Sequence, residues 1–167
     1  DKPYNGEVAY VDFILGGFFK YLKDQKLKGN TLMILTSDHG ESLGDHGEVT
    51  HGMFAYNATI WCPLIISFPG GHKGKNNQTV AQTDIYPTIC DVLGIPVPKG
   101  LQGISLKPAL MGKKMPSRTI YFESLEAYYS YDWAPIRGYL NYTEKFIDSP
   151  IPEAYDLQTD FQETRNL

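Results

Sequence analysis

One segment concentrates the side chains that could do chemistry. Between Ser37 and Asn57 ("SDHGESLGDHGEVTHGMFAYN") stand three of the four histidines of the chain, His39, His46 and His51, together with Asp38, Asp45, Glu41, Glu48 and four glycines. Carboxylate oxygens and imidazole nitrogens are ligands of divalent cations, and imidazole also acts as acid, base or anion partner near neutral pH. Asp38 and His39 are adjacent and directly follow the run "TLMILT". Neighbours within a strand point to opposite faces, but at its end the chain can turn both toward one point, and Gly40 permits the tight turn that follows. Two ligands do not complete a cation site. His46 and His51 are the nearest further candidates, with Asp45, Glu41 and Glu48 as acidic alternatives. The bland alternative is a solvated polar loop in which Asp38 caps a turn. Three His-Gly pairs directly after a buried strand favour a site.

The surrounding pattern says what must position these residues. Val8, Val11, Leu15, Phe18 and Leu22 follow helical spacing, so Gly6 to Leu27 is expected to form an amphipathic helix with Asn5 as its cap. "TLMILTS" and "CPLIISF" (Cys62 to Phe68) are apolar on both faces, as in sheets covered on both sides by helices. Phe13, Phe18, Leu22, Leu32, Ile34, Leu64 and Ile66 are expected to share one core. "TDIYPTICDVL" (Thr83 to Leu93) is a second helix, capped by Thr83 or Asp84, with Pro87 in its first turn and Gly94 at its end. A short helix over Ser105 to Met111, a strand at "RTIYFES", a hairpin turning near Asn141 and a turn-rich tail follow. The class is therefore α/β, an α/β layer followed by a small antiparallel sheet. In open α/β sheets ligands bind at the carboxyl ends of strands, which is where "SDHG" stands.

Composition excludes other classes. A net charge of -4, from 15 basic and 19 acidic residues, argues against non-specific nucleic-acid binding. The longest apolar stretches are far below the ~20 residues that span a bilayer, so no transmembrane segment is expected. Cys62 and Cys90 are expected as buried thiols. The sequons at Asn57, Asn77 and Asn141 matter only in a secreted eukaryotic protein, so compartment stays open. His72 is expected on an exposed loop, and Arg137 to brace the small sheet.

"TLMILTSDHGESLGDHG" with "HGMFAYNATIWCPLIISFPG" closely resembles the sulfatase family of the alkaline-phosphatase superfamily. "NGEVAYVDFILGGFFKYLKDQKLKGNT", "QTDIYPTICDVLGIPVPKGLQGISLKPAL" and "EAYDLQTDFQETRNL" resemble further segments of that family in the same order. The resemblance implies an alkaline-phosphatase-like α/β sheet domain, of which residues 1–112 are the C-terminal part. Residues 113–167 then form a small α+β subdomain, an antiparallel sheet with a helix. It implies that Asp38 and His39 bind the catalytic divalent cation, calcium first, with manganese or zinc as alternatives because His39 stands where many sulfatases have asparagine. It places His51 where many sulfatases carry a lysine that contacts the sulfate, and assigns no ligand role to His46. The implied reaction is cleavage of a sulfate ester. Phosphodiester, phosphonate or phosphotransfer chemistry of the same superfamily is the first alternative, and a non-catalytic module that kept the fold is the second.

Sulfatases attack with a formylglycine made from Cys or Ser within C/S-x-P-x-R. Neither cysteine stands in such a motif, and "KMPSR" (Lys114 to Arg118) has lysine at the nucleophile position. The resemblance implies that the nucleophile and two further aspartate ligands belong to an N-terminal part of the same enzyme. The 167-residue chain alone is therefore expected to hydrolyse no aryl sulfate. Turnover by the purified chain that disappears in Asp38→Ala would contradict this.

Overall fold

The computed structural model describes residues 2–167. They form two compact units, residues 2–35 with 65–71, and residues 36–64 with 72–167.

The smaller unit is built on α1 (Lys2–Asp24) and two paired strands, β1 (Met33–Thr36) and β2 (Leu64–Ser67). The helix starts earlier than expected, so Asn5 lies inside it rather than capping it. It also ends sooner, with a 3-10 turn at Lys28–Asn30. The expected single core does not form. Leu22 is buried, but Phe13 is 74 % exposed and Phe18 half exposed, while Leu32, Ile34, Leu64 and Ile66 are only partly covered. Size explains the difference. A 23-residue helix is about 35 Å long and a four-residue strand about 13 Å, so two short strands cannot cover the whole stripe. Burial alternates along Leu64–Ser67, where Ile65 is exposed, whereas along Met33–Thr36 it falls toward the strand end. No helix among the described residues is long and apolar enough to cross a membrane.

The larger unit follows the strand ends. It holds the Ser37–Asn57 loop, the single turn α2 (Asn57–Ile60), α3 (Ile85–Leu93), the short α4 (Lys107–Leu110) and a four-stranded antiparallel sheet. The sheet strands are β3 (Ile120–Ser124), β4 (Ile136–Leu140), β5 (Glu144–Asp148) and β6 (Glu153–Asp156), in that spatial order, with α5 (Glu126–Tyr131) between β3 and β4. Phe122 faces Gly138, Gly138 faces Ile147, and Lys145 faces Tyr155. Pairing in register puts Phe122, Lys145, Ile147, Glu153 and Tyr155 on one side of the pleat. The tail read as turns thus contributes an edge strand. β6 was hard to see because its inward residues are Glu153 and Tyr155, not aliphatic ones. Arg137 lies on the outer side, opposite Glu123 and Asp148 in register.

Asp84 organises the middle of this unit. It does not cap α3 through its side chain. Its fully buried carboxylate instead accepts the N–H of Ala81 at 2.8 Å and of Ile104 at 2.9 Å, and pairs with the Arg118 guanidinium. The Arg118 of "KMPSR" is thereby a structural partner. Gly103 lets the following segment dock: a Cβ there would lie 1.9 Å from the Thr83 carbonyl oxygen, so only glycine fits. Thr88 closes the contact, its hydroxyl accepting the Leu106 N–H at 2.8 Å. Removing one partner of a buried ion pair strands the other charge. Asp84→Ala is therefore expected to cost about 3–5 kcal/mol, read as a lowered urea midpoint, and Arg118→Met less than Asp84→Ala.

Candidate active-site loop

The loop begins at the end of β1, and its entry is fixed from two sides. The Gln82 side-chain amide donates to the Ser37 carbonyl at 2.7 Å and to the Asp38 carbonyl at 2.8 Å. Gly40 N–H donates to the Thr59 carbonyl at 2.7 Å, an approach so close that a Cβ on Gly40 would meet the Ala58 oxygen at 2.1 Å. Further along, the buried Glu48 turns inward and accepts the N–H groups of Met53 (2.8 Å) and Phe54 (3.3 Å). Glu48 is thus an anchor of the loop backbone. Neither it nor Gln82 stood out as such from residue type alone.

Asp38 and His39 lie together at the loop mouth. The Asp38 side chain is 89 % exposed, and its Oδ2 is 3.6 Å from His39 Nε2. His39 Nδ1 is 2.8 Å from the Gly40 carbonyl oxygen, which can only accept. Nδ1 therefore carries the proton, and the Nε2 lone pair is left toward Asp38, the arrangement usual for a metal-ligating histidine. Two ligands ~2.4 Å from one calcium ion and at right angles stand about 3.4 Å apart. Among the described residues no group of three His, Cys, Asp or Glu side chains converges on such a point.

His51 stacks on His39, with ring centroids 3.9 Å apart, and its Nδ1 is 3.1 Å from Glu41 Oε2. Glu41 thus orients His51 and leaves its Nε2 free. Two buried polar atoms here, Ser37 Oγ and Glu41 Oε1, have no hydrogen-bond partner. His46 points elsewhere. Its ring stacks on Tyr56 at 3.6 Å, and its Nε2 is 3.0 Å from the Gln162 carbonyl. His72 is exposed, as expected. Both cysteines are free, Cys90 buried and Cys62 partly so. Asn57 is buried and its side-chain amide donates to the Phe161 carbonyl at 3.0 Å, so that sequon cannot carry a glycan in this fold, whereas Asn77 is exposed.

The sulfatase family profile matches residues 2–95. The chain belongs to the sulfatase family. It is 29 % identical to arylsulfatase K of Xenopus laevis over 98 % of its own length and 33 % of that protein. A solved structure captured with its substrate D-glucosamine-2-N,6-O-disulfate matches with a TM-score of 0.79 and 31 % identity, covering 95 % of this chain and 34 % of that one. The phosphonate monoester hydrolase of Silicibacter pomeroyi matches with a TM-score of 0.76 and 27 % identity, over 93 % of this chain and 34 % of that one. The chain thus spans about a third of the length of these sulfatase-family relatives, and its fold is that of sulfatase-like α/β proteins.

At the far end of the loop, Tyr56 donates to Glu153 at 2.9 and 3.1 Å, and Tyr155 donates to the same carboxylate. Burial, then the Glu153 carboxylate, pushes both phenols well above the usual tyrosine value. Raised folded values mean that this stabilisation is complete below about pH 10 and is lost as pH climbs beyond it. Burial pushes the Lys145 ammonium below its usual value, which acts with opposite sign, so the informative quantity is a difference. Between pH 8 and 11 the urea midpoint of Tyr56→Phe should fall less than that of the wild type. Equal losses would contradict the assignment.

Proposed function

We propose that the Ser37–Asn57 loop is the cation- and anion-binding part of a sulfuric ester hydrolase site. Asp38 and His39 hold a divalent cation, calcium first and manganese or zinc as alternatives, and His51 faces the anionic group of the ester. The observation that supports this reading is the stack of His51 on His39, which sets an imidazole oriented by Glu41 beside the adjacent Asp38 and His39 side chains. A divalent cation there supplies Lewis-acid polarisation of ester oxygens. The residues of the chain do the rest. Asp38 offers charge and an exposed oxygen, the Gly40 carbonyl fixes the His39 tautomer, and Glu41 holds His51 where its Nε2 can pair with an anion or hand a proton to a leaving oxygen. The nucleophile of this reading is a formylglycine supplied outside these 167 residues, because neither Cys62 nor Cys90 stands in a C/S-x-P-x-R motif.

The second reading is hydrolysis of phosphonate monoesters by the same loop, favoured by the likeness to the Silicibacter pomeroyi enzyme. Comparing kcat/KM for an aryl sulfate and for a phenylphosphonate monoester separates the two. Within either reading, Asp38→Ala in the intact protein should lose the bound cation and the metal-dependent activity. His51→Ala should retain the cation and lose roughly 10²–10⁴ in rate. Metal analysis and turnover of both variants check this, and loss of the cation in His51→Ala with retention in Asp38→Ala would reverse the two roles.

A further inference from the structure

Three consecutive residues near the C-terminus each hold one point on the site loop. The Phe161 carbonyl accepts the Asn57 side-chain amide at 3.0 Å, the Gln162 carbonyl lies 3.0 Å from His46 Nε2, and Glu163 Oε2 accepts the Asn57 backbone N–H at 2.6 Å. His46 and Asn57 flank His51 on either side in the chain. The ring of Phe161 adds an edge contact to Trp61, 4.8 Å between centroids. Glu163 is in turn fixed by the sheet: its Oε1 is 2.5 Å from Lys145 Nζ, and both side chains are buried. Lys145 also lies 3.4 Å from the Asn57 side-chain oxygen and over the Phe122 ring. His46 on the loop and Glu163 on the tail both have left-handed backbones, φ 54° and φ 57°. Non-glycine residues hold that conformation only where their surroundings over-determine it.

We propose that Phe161–Glu163 is a strap that sets the position of His51, with Glu163 as its positioning residue. This rests on the reading of His51 as the anion-facing group. A tail that merely completed the sheet would bond along β6 throughout. This one turns away after Asp156, spends Phe161–Glu163 on the loop, and returns to β6 only at Asn166 and Leu167, which bond to Ala154. The strap holds both ends of the arc between His46 and Asn57, so releasing it loosens that arc, which Glu48 and Ser124 then hold only at Gly52–Phe54, while β3–β6 remain paired.

The test uses amide hydrogen exchange and steady-state kinetics on the intact protein. In Glu163→Ala, the loop amides of Ser42, Met53 and Phe54 should exchange about tenfold faster, while those of Gly138 and Phe146 in the sheet stay as protected as in the wild type. With an aryl sulfate, kcat should fall by about 10²-fold with KM and cation content unchanged, as for a misplaced catalytic group. The double variant Lys145→Met with Glu163→Gln removes both buried charges but keeps an acceptor for Asn57 N–H, and should restore loop protection and most of kcat. His46→Phe keeps the ring on Tyr56, loses the Gln162 contact, and should loosen the loop in the same direction, with the protected sheet amides of Gly138 and Phe146 reporting that the fold is kept. Loop amides unchanged in Glu163→Ala and His46→Phe, or sheet amides released together with the loop, would overturn the proposal. So would a loosened loop with undiminished kcat, provided His51→Ala is impaired. If His51→Ala is itself unimpaired, the reading of the site fails instead, and loop exchange alone decides whether the strap exists.

Discussion

A lysine on the inner face of a sheet must be neutralised, and the architecture of the larger unit follows from that. Lys145 is fully buried, and among the described residues Glu163 alone meets it with a carboxylate at hydrogen-bond distance. An unpaired ammonium in that position would cost several kcal/mol, so the segment carrying Glu163 has little freedom. The second oxygen of the same carboxylate takes the N–H of Asn57, at the first turn of α2. One buried pair thereby ties a sheet strand, the C-terminal segment and the exit of the site loop together. Replacing such a pair with apolar residues is often stabilising, so its retention speaks for specificity of arrangement over gross stability.

The same economy of groups recurs at the loop entrance. Gln82 spends both amide hydrogens on successive carbonyls at the exit of β1, and Gly40 brings the backbone against α2. With both ends held, the side chains between them are oriented by short-range bonds. The carbonyl of Gly40 sets the tautomer of His39, Glu41 sets His51, and the two rings stack. Asp38 stays open to solvent beside them. A frame held at both ends leaves these exposed side chains little further ordering to undergo, which is the condition for binding without a large entropic cost.

The smaller unit shows the converse situation. Its helix has the apolar stripe expected of a core element, yet Val11, Phe13, Ile14 and Phe18 remain exposed on it. The strands of that unit are too short to cover the helix. Contiguous apolar surface of this kind is unusual on a folded monomer.

How much of this was legible in the sequence depends on the range of the interaction. Helices and strands were readable because apolar periodicity and Gly or Pro punctuation act within a few residues: α3 ends at Gly94, and the β4–β5 hairpin turns at Asn141. The position of Asp38 and His39 at a strand end was readable for the same reason, and the order of resembling segments made the family legible. Tertiary structure alone decided what the polar residues do. Asp84, Glu48, His46 and Glu163 have the same residue types as any solvated loop would. Only the fold shows that three of them are buried anchors and that the fourth docks the C-terminal segment, because their partners lie 20 or more residues away, as with Asp84 and Ile104 or His46 and Gln162, or on backbone atoms that sequence does not distinguish. The exposure of α1 was equally invisible, since periodicity reports which face a helix would bury and is silent on whether anything is there to bury it against.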